Sequence, residues 1–137
     1  MSAPFTYSML IREHHLDTFG HVNNATYLEI LEEARWEWLT QGGFGHDEIL
    51  AGGLGPVILE ITIAFRRELR LRTSIVITSW IESYESKVGT LKQEIKTSDG
   101  TIACTASMKF GLFDLKARNL VPPTSEWLSA IGFRVSE

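Results

Sequence analysis

The chain predicts an α+β fold in which one antiparallel sheet wraps around a single long central helix. Three observations lead there. Residues 24–41 carry apolar side chains around most of a helical circumference, as a helix covered on most sides does. Beyond Pro56 the pattern changes to alternation with a period of two over long runs, the mark of strands with one buried face. Short turn signals separate those runs, so neighbouring strands run antiparallel, and a sheet accompanied by one apolar helix buries that helix against its own face.

Taken in order, Phe5, Tyr7, Met9 and Ile11 alternate with Thr6, Ser8, Leu10 and Arg12 and form the first strand. Residues 13–19 lose all periodicity and end in Gly20, which reads as an irregular loop. Asn23 or Asn24 can cap the helix that follows by accepting a free N–H of its first turn. The helix spans 24–41 and stops at Gly42-Gly43, which can supply the left-handed residue past its end. Its apolar positions are Tyr27, Leu28, Ile30, Leu31, Ala34, Trp36, Trp38 and Leu39. A linker over 42–55 holds a short helical turn at 48–51. Val57, Leu59, Ile61, Ile63 and Phe65 then mark a long strand, and Ile75, Ile77, Ser79 and Ile81 another. A weaker strand over 87–97 is anchored by Leu91 and Ile95. Asp99-Gly100 predicts a type I′ hairpin turn, since both residues tolerate positive φ. The last strand, 101–112, places Ile102, Cys104, Ala106, Met108, Phe110 and Leu112 on one face. Pro122-Pro123 breaks the chain, Thr124 or Ser125 can cap, and 126–131 reads as a short helix. The strands carry apolar residues on both sides with no second helix layer to cover them, so two-fold self-association is expected.

Composition narrows the function classes. At 137 residues the chain suits one domain over 1–137, able to bury a core without disulfides or metals. A net charge of −4 argues against a general nucleic-acid binder, which needs a basic surface to neutralise phosphates. Cys104 is the only cysteine, which excludes an intrachain disulfide and fits a reducing compartment. The first twelve residues lack a basic region followed by an apolar run, and no apolar segment approaches the ~20 residues of a membrane span. A cytoplasmic protein without a membrane partner is expected.

The loop and helix read Asp17-x-x-Gly20-His21-Val22-Asn23-Asn24-x-x-Tyr27, then Glu32-x-Ala34-Arg35. This resembles the acyl-CoA thioesterases of the hotdog fold, more narrowly the 4-hydroxybenzoyl-CoA thioesterase-like branch, which shares the Asp-x-x-Gly opening and the Tyr…Glu-x-Ala-Arg helix. The strand order agrees from Phe5 to about Leu112. The resemblance implies a homodimer, often paired into a homotetramer, with active sites at subunit interfaces, an acyl-CoA substrate and no cofactor. It places the catalytic carboxylate at Asp17 and the oxyanion donor at the Asn24 backbone N–H. After the second strand, where many relatives carry a Gly-Asp turn, this chain has Leu71-Arg72-Thr73-Ser74.

The chemistry fits those residue types. A carboxylate at Asp17 can attack a thioester directly or act as a general base on water. A helix-start N–H stabilises the tetrahedral oxyanion by about 3–4 kcal/mol in comparable sites. Gly20, His21, Asn23 and Tyr27 surround this point. Asn23 either orients water or caps the helix, His21 is a proton relay or a variable wall residue, and Tyr27 is core or pocket wall. His14, Asp17 and His21 lack regular metal-ligand spacing, and no metal is expected. Glu32 is expected to pair with Arg35 or with a partner subunit. Arg66, Arg67, Arg70 and Arg72, interrupted only by Glu68, form a basic cluster that is either a solvated strand end or a site for the phosphates of CoA, whose oxygens match Arg forks, with Arg66 and Arg67 as the binding candidates. Cys104 fits buried packing better than nucleophilic work. The competing functional class is a non-catalytic dimeric module that binds an acyl or pantetheine group; hydration of an enoyl-CoA is a third possibility on the same scaffold.

Overall fold

The protein is described here from a computed structural model over residues 3–133. Alternation drives the strands where it is strongest: β1 (Phe5–Leu10), β2 (Leu54–Phe65), β3 (Ser74–Glu85), β4 (Val88–Thr97) and β5 (Ile102–Asp114). They form one antiparallel sheet in the order β1-β3-β4-β5-β2, and a short strand β6 (Asn119–Val121) adds to β5. Three helices accompany it: α1 (Asn24–Gln41), α2 (His46–Gly52) and α3 (Ser125–Ala130).

α1 lies on the sheet through Ile30, Leu31, Ala34 and Trp38, each at most 5% exposed, against Ile77, Leu91, Ile95 and Met108. Its burial is narrower than its composition suggests. Glu29, Glu33 and Glu37 recur every four residues on an exposed face, and Trp36 is 42% exposed. The helix is therefore covered on the sheet side and open on the other. Its end meets expectation: Gly43 takes φ 91°, and the Phe44 N–H donates to the Leu39 carbonyl at 2.8 Å, closing the last turn. Gly42 answers a different demand, because a Cβ there would lie 2.5 Å from the Ala130 carbonyl oxygen of α3.

Four local readings change. Residues 13–15 form a 3-10 turn inside the loop, and the linker helix runs 46–52. β6 has too few residues for periodicity to announce it. The Asp99-Gly100 hairpin is not type I′: only Gly100 has positive φ, 86°. Thr97 and Thr101 pair across a three-residue loop, the Gly100 N–H donates to the Thr97 carbonyl at 2.9 Å, and the Asp99 carboxylate accepts the Thr101 N–H at 3.1 Å. An acid that captures a backbone N–H gains more here than from left-handed backbone, which favours glycine.

One polar side chain sits in the apolar phase of β4. Gln93 is 1% exposed beneath α1; its amide donates to the Leu31 carbonyl and to Ser79 Oγ, both at 3.0 Å, and its Oε1 accepts from Arg35 at 3.0 Å. The Arg35 guanidinium also approaches Met108 Sδ at 3.3 Å. It forms no ion pair within 4.0 Å with Glu32 among the described residues, so the expected Glu32–Arg35 pair gives way to a neutral amide anchor. Burial lowers the Arg35 pKa, and the charge of nearby Glu32 opposes that shift.

Candidate active site

The Asp-x-x-Gly opening is a small hairpin built like the one at Thr97–Thr101. The Asp17 N–H donates to the His21 carbonyl at 3.0 Å, the Gly20 N–H to the Asp17 carbonyl at 3.2 Å, and Gly20 adopts φ 84°. A residue with a Cβ is strained there, which accounts for the glycine. The Asp17 carboxylate accepts the Phe19 N–H at 2.8 Å through Oδ1, and its Oδ2 lies 3.8 Å from His21 Nδ1. The Leu16–Val22 bridge closes the loop on itself, and the His21–Arg70 bridge fastens it to the chain beyond β2.

The helix start is resolved in detail. Asn23 is the cap: its Oδ1 accepts the Ala25 N–H at 2.8 Å, and its backbone carbonyl accepts from Thr26 and Tyr27. Of the first-turn donors only the Asn24 N–H is left without an acceptor among the described residues. It stands at the positive end of α1, where a helix favours negative charge.

Asn24 opens onto a shallow groove of ≈ 220 Å³ whose other walls include His21, Tyr27, Phe65, Arg66 and Arg67. Five of the expected site residues thus meet at one place. Asp17 does not line this groove; it stands behind His21, one hairpin away. Tyr27 is 2% exposed, donates its hydroxyl to the Arg67 carbonyl at 3.1 Å and packs edge-on against Phe65. Burial pushes its phenol up in pKa, so it holds the wall rather than offering a proton.

The arginine cluster divides in two. Arg70 is engaged by Glu68, and Arg72 holds Glu13 through both carboxylate oxygens at 2.9 and 3.1 Å. Arg72 also adopts φ 64°, in the turn between β2 and β3. Arg66 donates to Thr105 Oγ1 at 3.2 Å, and Arg66 and Arg67 form no ion pair among the described residues. Within the cluster these two have no carboxylate partner among the described residues. Phe65 was not singled out by sequence, although its place as the last helix-facing residue of β2 carried the signal. Among the described residues no cluster of ligating side chains could hold a metal ion, and Cys104 is buried with its thiol pushed up to about 11 by desolvation.

A second hollow of ≈ 270 Å³ lies at the other end of α1, between Trp36, Leu39, Val57, Ile58, Trp127 of α3 and Ile131 just past its end. Glu32 and Arg35 are its polar lining.

Comparison with known proteins agrees with this architecture. The family model described as Thioesterase-like superfamily matches residues 11–131. The long-chain acyl-CoA thioesterase FadM of Escherichia coli is 37% identical over 109 residues, 79% of this chain and 82% of that protein. The crystal structure of YbaW, a probable thioesterase from Escherichia coli, superposes with a TM-score of 0.81 at 32% identity, over 93% of this chain and 98% of that one. The Staphylococcus aureus protein SAV2348, solved in complex with CoA, superposes at 0.88 over 100% of this chain and 90% of its own, and at 18% identity that likeness speaks to the fold alone. A match from Ile11 to Ile131 takes in the Asp17 hairpin, α1 and every strand after β1, and on that span the chain belongs to the thioesterase-like superfamily and has its hotdog fold.

Proposed function

We propose that this thioester hydrolase cleaves acyl-CoA, with the thioester carbonyl oxygen on the Asn24 N–H and Asp17 as the carboxylate that attacks or activates water. The observation that carries the reading is the unpaired Asn24 donor, alone in its turn and facing a groove lined by two arginines that have no carboxylate partner among the described residues. The oxygen gains charge as the tetrahedral intermediate forms, so a donor fixed by the helix stabilises the transition state more than the ground state. Thiolate leaves readily, and no cofactor or metal is required. Arg66 and Arg67 take CoA phosphate, while His21, Asn23, Gly20 and Tyr27 shape the approach. The chain works as a homodimer, further paired into a tetramer. Support for this comes from edge strand β2, whose Leu59 is 48% exposed at a bulge between Ile58 and Glu60. In a dimer, Asp17 has a second subunit's groove as well as its own to act on.

Release of free CoA from a panel of acyl-CoAs tests this. Asn24→Pro removes the N–H together with the side-chain amide, so Asn24→Ala, which keeps the N–H, is its control. Proline suits the first helical position, and Asn23 already has the extended backbone (φ −69°, ψ 149°) that a following proline requires. A loss in kcat of about 10²–10³ is expected, with the fold intact by circular dichroism. Asp17→Asn is expected to abolish turnover, and unchanged activity would remove Asp17 from its role. A second reading, a module that binds without cleaving, is favoured by one fact, the engagement of the Asp17 carboxylate with its own turn. Saturable binding of acyl-CoA with no CoA release would establish it.

A further inference from the structure

We infer that the hollow beneath α3 receives the far end of a long straight acyl chain, and that α3 is the stop that sets its length. This rests on the thioesterase reading for the position of the carbonyl.

The two hollows share their walls. Phe65 meets Tyr27 at the start of α1, while Ile58 meets Leu39 near its end, so β2 runs back along the helix from the first hollow to the second. The helix-facing residues of β2 follow from its register with β5: Phe65 opposes Cys104 and Ile61 opposes Met108, both of which are buried. Yet Phe65 and Ile61 are 44% and 40% exposed. On the helix side Trp36, 42% exposed, lines the second hollow. The inferred path of the chain runs from the Asn24 N–H past Phe65 and Ile61 to that hollow.

Length identifies the occupant. Trp36 lies twelve residues beyond Asn24, which at 1.5 Å per residue is about 18 Å along the axis. Carbon–carbon bonds of about 1.5 Å at near-tetrahedral angles advance about 1.25 Å per carbon, so about fourteen carbons span it. A hydroxybenzoyl group placed on Asn24 ends far short of the hollow. Trp127 and Ile131, 1% and 2% exposed, close the far side, and Trp127 is fixed by its indole N–H donating to Tyr84 Oη at 3.1 Å. Arg35, tied to Gln93, leaves the hollow with a polar seam at one wall and hydrocarbon elsewhere.

The test compares full-length protein with Ile58→Phe, which fills the hollow, and Ile131→Ala, which deepens it, on saturated acyl-CoAs of increasing length and on 4-hydroxybenzoyl-CoA. In the parent, kcat/KM rises with chain length and exceeds that for the aryl ester. Ile58→Phe lowers the ratio of long- to short-chain kcat/KM about ten-fold, and Ile131→Ala moves the optimum to longer chains. A second readout needs no turnover: Trp36, Trp38 and Trp127 line the hollow, so a fatty acid brominated at its terminal carbon quenches tryptophan emission in the parent and several-fold less in Ile58→Phe. An unchanged length profile, a preference for the aryl ester, or quenching indifferent to Ile58→Phe overturns the inference. Quenching lost in Ile58→Phe with no CoA release from any ester upholds the tail site and defeats the thioesterase reading instead.

Discussion

His15 stands in the loop that carries Asp17, 7% exposed, with Nδ1 accepting the Arg12 N–H at 2.9 Å. Its proton therefore belongs on Nε2. Burial, helped by the neighbouring His14, lowers its pKa from the ordinary 6.5, against the pull of Glu33 and Glu29. Because the folded pKa lies below the unfolded one, its contribution to stability is complete above about pH 6.5 and is lost as pH falls through the lowered folded value. Thermal unfolding between pH 7 and 5 should accordingly show a shallower acid-side decline in His15→Gln than in the parent, while an identical slope would place the acid sensitivity elsewhere. The sequence shows this residue only as one of a His-His pair. Asp17 and Gly20 stood out through the Asp-x-x-Gly resemblance, whereas the hairpin they form reads in sequence only as an irregular loop, because its hydrogen bonds are local and leave no periodicity. Which asparagine caps was not, since both can accept an N–H and only the path of the chain into α1 decides for Asn23.

At the scale of elements, periodicity carried the strands and α1 because burial of one face is a repeating demand. It failed where burial is decided by a single neighbour. Gln93 interrupts the apolar phase of Leu91 and Ile95, and that break was the visible sign of a buried contact, though nothing linear told that Arg35, Leu31 and Ser79 would be its partners. Removing this amide takes from the half-buried guanidinium its oxygen acceptor and from Ser79 Oγ its amide donor. Gln93→Ala should cost about 2–3 kcal/mol in urea unfolding, the range for a lost partner of a buried polar group. Arg35→Met in the same background should recover part of the loss, because a buried charge no longer lacks its partner. Trp36 misled in the other direction: it counts as apolar in any helical pattern, but its exposure depends on a hollow whose second wall, β2, begins eighteen residues later.

At the scale of the molecule, the antiparallel sheet with one helix was legible from element order, whereas the strand order was not. β2 follows α1 in the chain yet pairs only with β5, leaving its other edge open. No helix of the described chain is long and apolar enough to cross a membrane. A second copy is the partner proposed for that edge.

That open edge links two equilibria through mass action. β2 supplies one wall of the inferred tail path and, on the dimer reading, also the seam between copies, so any ligand that orders Ile61 and Phe65 acts on the strand that pairs. By linkage, the factor by which tail binding tightens pairing is the factor by which pairing tightens tail binding. Diluting the protein across its dimer dissociation range should weaken binding of a long-chain ester and leave free CoA, which needs only the arginine end, far less affected. Sedimentation at fixed protein concentration should show the reciprocal gain in dimer as long-chain ligand is added.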